Sequence, residues 1–134
     1  MEALAAVDTA PDMNPVGGVR LNRSSNTFSL PGGTVTVPLH QDAATAIEEC
    51  LPHVMIDFTF AEVSSTAIKV AISRGVHVVS GTTGLSAPDQ QEINRLAEDN
   101  SVGVLLAPNF AIGAVLLIHL ASTLGHFFDY AEIV

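Results

Sequence analysis

The stretch "VHVVSGTTGLSAPDQQEINRLAEDNSVGVLL", residues 76–106, predicts two strands joined by a helix. "VHVVS" and "VGVLL" are short apolar runs, as expected of strands buried in a parallel sheet. Between them, Ser86 fits the N-cap of a helix whose first turn holds Pro88 and Asp89. Apolar strands that alternate with helices of about a dozen residues pair in parallel. The stretch therefore predicts an α/β fold.

The alternation continues on both sides of this stretch. Apolar runs predict further strands at "ALAAVD" (3–8), "TVTVPL" (34–39), "HVMIDF" (53–58) and "YAEIV" (130–134). Helices are predicted from an Asp42 cap through Leu51, from about Glu62 to Arg74, and from about Ile112 onward. Residues 9–33 are rich in Pro, Gly, Asn and Ser and are predicted to form a long loop. We expect one domain, a doubly wound parallel sheet with both faces covered.

Composition and charge exclude several classes of protein. The chain has 14 acidic and 5 basic residues, a net charge of −9, so it would repel a nucleic acid. Cys50 is the only cysteine, which excludes a disulfide framework and leaves it a small core residue. The histidines are dispersed, and no metal site is predicted. The first residues lack the basic start and long apolar core of a secretory signal, so we expect a cytoplasmic setting.

One segment has the length of a membrane span. "VGVLLAPNFAIGAVLLIHLA" (102–121) is apolar and long enough, since a span needs about 20 residues. Pro108 and Asn109 fall near its middle, however, and a polar amide is costly in lipid. The same residues fit a strand, a turn and a helix from about Ile112. We therefore expect no membrane span.

Polar residues follow four of the predicted strands. They are Asp8, "DFT" (57–59), "SGTTG" (80–84) and "APNF" (107–110). Simpler roles exist for each, because Asp57, Thr59 and Asn109 could cap the following helices and the glycines could serve a turn with positive φ. The carboxyl ends of parallel strands meet at one edge of a sheet, however, and open α/β sheets bind ligands there. The pattern predicts a ligand site at that edge.

The order and spacing of four motifs resemble one enzyme family. "VMIDFTFAE", "VVSGTTGL", "VLLAPNFAIGAVLL" and "FFDYAEIV" are similar to segments of the 4-hydroxy-tetrahydrodipicolinate reductases of lysine biosynthesis, also called dihydrodipicolinate reductases. The resemblance runs from Ala3 to Val134 and is weakest between Thr9 and Leu51. "GTTG" followed by "APNF-x-IG" at this separation is specific, whereas "GTTG" alone is not. The resemblance implies a Rossmann-like nucleotide domain.

The resemblance also implies a cofactor and its contacts. The family uses NADH or NADPH, and Asp8 matches the acidic residue that accepts hydrogen bonds from the adenosine ribose. Family members that favour NADPH can carry arginine at the position of Thr9. The threonine in this chain therefore favours NADH. Gly81, Thr82 and Thr83 match the loop beside the nicotinamide. A second nicotinamide-side loop is matched by four consecutive residues, Ala107, Pro108, Asn109 and Phe110.

Two departures from the family pattern affect the functional prediction. The family's phosphate-binding glycine turn lies about 20 residues before the acidic position, and only seven residues precede Asp8. The family's His-His, Lys and Ser-Gly-Thr segments for catalysis and substrate binding follow the "EI" strand, where this chain ends. We therefore expect residues 1–134 to be a partial nucleotide domain, without the first strand, the phosphate turn or the substrate domain. No catalytic residue is predicted within it.

Two functions remain open from the sequence. The first is the reductase in its whole form, a homo-oligomer in which a nicotinamide cofactor transfers hydride to the dehydrated small-molecule substrate. This chain alone is then expected to be inactive. The alternative is a nucleotide-binding or interaction module derived from the family that has no catalytic activity.

Overall fold

A computed structural model describes residues 2–20, 25–29 and 36–128 of the chain. The helices are α1 (Glu2–Thr9), α2 (Ala43–Cys50), α3 (Ala61–Ser73), α4 (Ala87–Asn100) and α5 (Ile112–Leu124). The strands are β1 (Gly18–Val19), β2 (Thr27–Ser29), β3 (Thr36–His40), β4 (Val54–Asp57), β5 (His77–Ser80) and β6 (Val104–Leu106). The predicted strand at residues 130–134 lies outside the described residues.

The main sheet is parallel, with strand order β4-β5-β6. Its register pairs Asp57 with Ser80, and Ser80 with Leu106. The carboxyl ends of the three strands therefore lie side by side, as the alternation of strands and helices predicted. The α/β class and the parallel pairing are confirmed.

The hydrophobic core lies on one face of this sheet. Ile68 and Ile72 of α3, Ile93 of α4 and Val78 of β5 are buried there. Because side chains alternate across a strand, the opposite face carries Val54, Ile56 and Leu105, which are 47%, 43% and 53% exposed. Within the described residues, then, the helices cover one face, although the sequence predicted cover on both.

A smaller mixed sheet lies beside α2. Its central strand, β3, pairs in parallel with β1 and antiparallel with β2. Residues 9–33 were predicted to form one long loop, and they contain two short strands instead. Strands of two and three residues are too short to show a hydrophobic period, which explains why the sequence did not reveal them.

The first predicted strand is wrong. The residues "EALAAVDT" form helix α1, and Asp8 lies on that helix and not at the end of a strand. Alanine, leucine and glutamate are strong helix formers, and the only β-branched residues of the run are Val7 and Thr9, in its last turn. Local propensity therefore favours a helix where the apolar character had indicated a strand.

Helix α5 is apolar, yet none of its residues is buried. It begins at Ile112, as predicted, yet Ile112, Leu117 and Ile118 are each more than 60% exposed. The interpretation of residues 102–121 as strand, turn and helix is confirmed. Among the described helices, none is long and apolar enough to cross a membrane.

Candidate functional site

The loops that follow β4, β5 and β6 are tied together by main-chain hydrogen bonds. The Gly81 N–H donates to the Asp57 carbonyl over 2.9 Å, and the Ala107 N–H donates to the Ser80 carbonyl over 2.9 Å. These bonds continue the ladder one residue past each strand. The "DFT", "SGTTG" and "APNF" motifs are thereby brought to one edge of the sheet, as expected for a ligand site.

The carboxylate of Asp57 lies at the centre of this edge and is only 5% exposed. Its Oδ2 accepts hydrogen bonds from Ser64 (2.5 Å), Ser80 (2.7 Å) and Thr82 (2.8 Å). Its Oδ1 accepts from the Thr59 hydroxyl over 2.6 Å and from the Thr59 N–H over 3.1 Å. We call these five residues, Asp57, Thr59, Ser64, Ser80 and Thr82, the Asp57 cluster.

The Asp57 cluster keeps its carboxyl group ionised. Burial raises the pKa of Asp57, but the hydrogen bonds from Ser64, Thr59, Ser80 and Thr82 lower it by more. The net pKa lies below the ordinary aspartate value. Since hydroxyls and one main-chain N–H donate to the anion, its charge is stabilised with no cationic partner among the described residues.

The sequence offered Asp57 and Thr59 a helix-capping role and also placed them at the predicted ligand edge. The capping role is wrong, because the N-cap of α3 is Phe60 and no side chain caps that helix. The Thr59 contacts close a local turn, and the bonds from Ser64, Ser80 and Thr82 join three separate segments. One signal was available in the sequence. Ser64 stands four residues before Ile68 on the inward face of α3, where a serine needs a buried partner.

Gly81 lies directly beneath two aromatic rings. A β-carbon at this position would lie 2.6 Å from Phe58 Cδ1 and 3.1 Å from Phe110 Cε2. The two rings contact each other edge to face, with centroids 5.8 Å apart and an interplanar angle of 67°. Glycine is required at position 81 because the two rings approach the main chain closely. A positive φ requires glycine at position 84 instead (φ 84°).

The two threonines of "GTTG" occupy different environments. Thr82 is 8% exposed and its hydroxyl donates to Asp57, whereas Thr83 is exposed. Both had been predicted as cofactor contacts. In this conformation the hydroxyl of Thr82 is already used within the protein, and that of Thr83 is the one accessible from outside.

The "APNF" segment leads from β6 into α5. The Asn109 side-chain oxygen accepts a hydrogen bond from the Ala111 N–H over 2.8 Å, which stabilises the turn before α5. Asn109 does not cap α5 as the simpler interpretation proposed, because the N-cap is Ala111 and no side chain caps the helix. Ala107 is half-buried, Pro108 is exposed, and Phe110 is 48% exposed. The segment therefore presents an apolar, accessible surface next to Gly81.

Two further residues had predicted roles. Asp8 is half-buried on helix α1 and not at the end of a strand. Cys50 is half-buried, with its Sγ 3.4 Å from His40 Nε2. Over the ranges that the structure describes, no group of three His, Cys, Asp or Glu side chains could hold a metal ion.

The fold defines an α/β protein whose parallel strands present a candidate ligand site at their carboxyl edge. Residues 1–110 match the family model described as dihydrodipicolinate reductase, N-terminus. The chain belongs to this family.

Curated relatives and solved structures agree with this assignment. The chain is 38% identical over 133 residues to 4-hydroxy-tetrahydrodipicolinate reductase of Dehalococcoides mccartyi (strain CBDB1), covering 99% of this chain and 51% of the relative. It is also 38% identical over 133 residues to the Bacillus pumilus (strain SAFR-032) enzyme of the same name, covering 99% of this chain and 46% of that protein. The chain thus spans about half the length of these relatives.

The fold resembles the dipicolinate-bound dihydrodipicolinate reductase from Paenisporosarcina sp. TG-14, with a TM-score of 0.79 and 28% identity over 95% of this chain and 49% of that one. A homoserine dehydrogenase from S. aureus shares the fold alone, with a TM-score of 0.54 and 16% identity over 69% of this chain and 23% of that one.

Proposed function

We propose that this chain is the nicotinamide-nucleotide-binding part of a 4-hydroxy-tetrahydrodipicolinate reductase. The carboxyl edge of β4-β5-β6 is then the place where the nicotinamide end of NADH or NADPH binds. One observation carries the proposal: three loops meet at this edge, and a glycine, an exposed threonine and two exposed aromatic rings adjoin there. In the whole protein the cofactor supplies the hydride, and the protein orients it toward the dehydrated substrate.

The residues at this edge suit a flat, weakly polar ring. Phe58 and Phe110 offer an apolar surface of the kind on which a planar ring can stack. Thr83 supplies an accessible hydroxyl for an amide group, and the small residues Gly81 and Ala107 allow the ligand to approach the main chain. Pro108 and Asn109 shape the second loop. We propose no catalytic residue within the chain.

The chain alone should bind cofactor weakly and should not reduce substrate. Its 134 residues contain no G-x-G-x-x-G motif, so the pyrophosphate has no glycine turn at a helix N-terminus to neutralise it. They also contain no His-His pair of the kind that the resemblance implies for catalysis. Measurable turnover by residues 1–134 would contradict this proposal and its placement of the catalytic residues.

The ribose contact and the preference for NADH rest on the resemblance alone. Asp8 lies on a helix, and the strand-end geometry that first motivated it is absent. If the proposed role is correct, Asp8→Ala should weaken NADH binding by about 1–3 kcal/mol, the scale of a lost hydrogen bond to a charged group. An unchanged NADH affinity would remove Asp8 from the site. We also propose that the whole protein is a homo-oligomer and is located in the cytoplasm.

The function is tested by the affinity of NADH for the wild type and two variants. Fluorescence titration should give a weaker affinity for Phe110→Ala and Thr83→Val, because each removes an accessible group at the edge. Ser101→Gly, at the C-cap of α4 and away from the carboxyl edge, is the matched control and should leave the affinity unchanged. Equal affinities in all four proteins would contradict the proposed site.

A further inference from the structure

The Asp57 carboxylate uses its whole hydrogen-bonding capacity within the protein. A carboxylate offers about four lone-pair positions, and Asp57 accepts from four hydroxyls and one main-chain N–H. It is also buried. A group without a free lone pair and without access to solvent cannot hold a metal, a proton in transit or a substrate. Its role is therefore carried out through the residues that it binds.

Three of these hydrogen bonds cross long distances in the sequence. The donors Ser64, Ser80 and Thr82 lie 7, 23 and 25 residues from Asp57. Phe60 is the N-cap of α3 and no side chain caps that helix, so Asp57 does not act as its cap. The Ser80 and Thr82 bonds serve β5 and the loop after it instead. The Thr82 N–H in turn donates to the Ser80 hydroxyl over 3.2 Å, so the side chains of the cluster also order the loop's main chain.

We propose that Asp57 is a positioning residue, which acts through Thr82 to fix the conformation of the Gly81–Thr83 loop. With the Thr82 side chain held inward, Thr83 remains exposed and Gly81 stays beneath the Phe58 and Phe110 rings. The identity of the ligand that binds this loop rests on the proposed function. The conformational order of the loop does not depend on that function, and it can be measured without any ligand.

The test is amide hydrogen exchange in the 134-residue chain, measured by NMR. The reporting amides are those of Gly81 and Thr82, which donate to the Asp57 carbonyl and the Ser80 hydroxyl. Thr82→Val preserves shape but removes the hydroxyl, and should raise exchange at these amides about tenfold or more, as expected for losing a hydrogen bond to a charged group. Thr82→Ser restores the hydroxyl and should restore wild-type exchange. Thr83→Val should leave exchange unchanged.

Asp57→Asn should reproduce the effect of Thr82→Val at the same amides. Its matched control is Asp89→Asn, which removes another carboxylate that accepts from Ser65, Ser86 and Lys69 and joins α3 to α4. That control should raise exchange in α3 and α4 more than in the loop. If Asp57→Asn does not fold, the Thr82→Val and Thr82→Ser pair decides the question.

Two results would overturn the proposal. One is wild-type exchange at Gly81 and Thr82 in Thr82→Val. The other is an equal rise at every protected amide, which would mean that the cluster contributes global stability only. A parallel titration with NADH tests the proposed function separately from the role of Asp57. If NADH shifts no loop resonance of the wild type, the proposed function fails, and the exchange data still decide the role of Asp57.

Discussion

At the scale of single residues, the site depends on one buried anion and one glycine. Asp57 is stabilised by four hydroxyl donors and the Thr59 N–H, and Gly81 allows two aromatic rings to pack closely against the main chain. The sequence predicted that both positions lie at the strand ends. It could not show that Thr82 turns inward and Thr83 outward, because that choice depends on Asp57, which is 25 residues from Thr82 in the sequence.

The first prediction concerns Gly81. Gly81→Ala should displace the Phe58 ring and lower the free energy of unfolding by about 0.5–1.5 kcal/mol, the contribution of an aromatic pair. Urea denaturation measures the change. Gly113→Ala is the control, since nothing lies within 4 Å of a β-carbon at Gly113, and it should not lower stability. In the Phe58→Ala background, Gly81→Ala should cost less, and an equal cost in both backgrounds would contradict the mechanism.

The second prediction concerns pH. Because the folded-state pKa of Asp57 lies below the ordinary aspartate value of 3.8, the cluster stabilises the fold above that pH. The stabilisation should be lost as the pH falls from about 4 toward the folded-state pKa. Unfolding free energies of the wild type and Asp57→Asn, measured from pH 7 to pH 3, should therefore converge at the acidic end. A difference that stays constant over this range would show that the carboxylate charge has no part in the stabilisation.

At the scale of elements, the sequence predicted the helices and strands that are marked by local features such as helix caps. The caps Asp42 and Ser86 accept from the main-chain N–H groups of Thr45 and Asp89, as their positions indicated. Elements α3, β5 and α4 lie within a residue or so of their predicted bounds. Helix α1 was predicted as a strand because a six-residue apolar run does not by itself distinguish the two.

The third prediction concerns the two ends of α4. Ser86→Ala should lower the free energy of unfolding by about 0.5–2 kcal/mol, because the Asp89 N–H loses its cap. Ser101→Gly should change stability in the opposite direction, by at most about 1 kcal/mol, since Ser101 has a φ of 55° that glycine adopts without strain. Thermal or urea unfolding measures both variants. Changes of the same sign would contradict the assigned end structures.

At the scale of the whole molecule, two of the exposed apolar surfaces of the described residues lie outside the candidate site. One is the sheet face that carries Val54, Ile56 and Leu105, and the other is α5. The alternating pattern of strands and helices predicted the parallel sheet but not this exposure. A hydrophobic residue signals burial in the sequence without indicating which partner covers it.

The fourth prediction follows from this exposure. Large exposed apolar patches promote association, so the 134-residue chain should self-associate as its concentration rises. A double variant, Leu116→Glu with Leu120→Glu, places two charges on one side of α5 and should shift sedimentation toward the monomer. Gln91→Glu, on exposed α4 surface, is the control and should have no effect. A wild-type chain that remains monomeric up to about 100 μM, well within the concentrations at which exposed apolar surface drives aggregation, would refute the prediction.

The central claim is that the carboxyl edge of β4-β5-β6 binds a nicotinamide nucleotide. The most direct measurement is an NMR titration of the isotope-labelled chain with NADH, which detects even millimolar binding residue by residue. We expect the amide resonances of Gly81, Thr83, Ala107 and Phe110 to shift together and to saturate with one dissociation constant. Shifts confined to α5 or to the β1-β3-β2 sheet, with these four resonances unmoved, would contradict it.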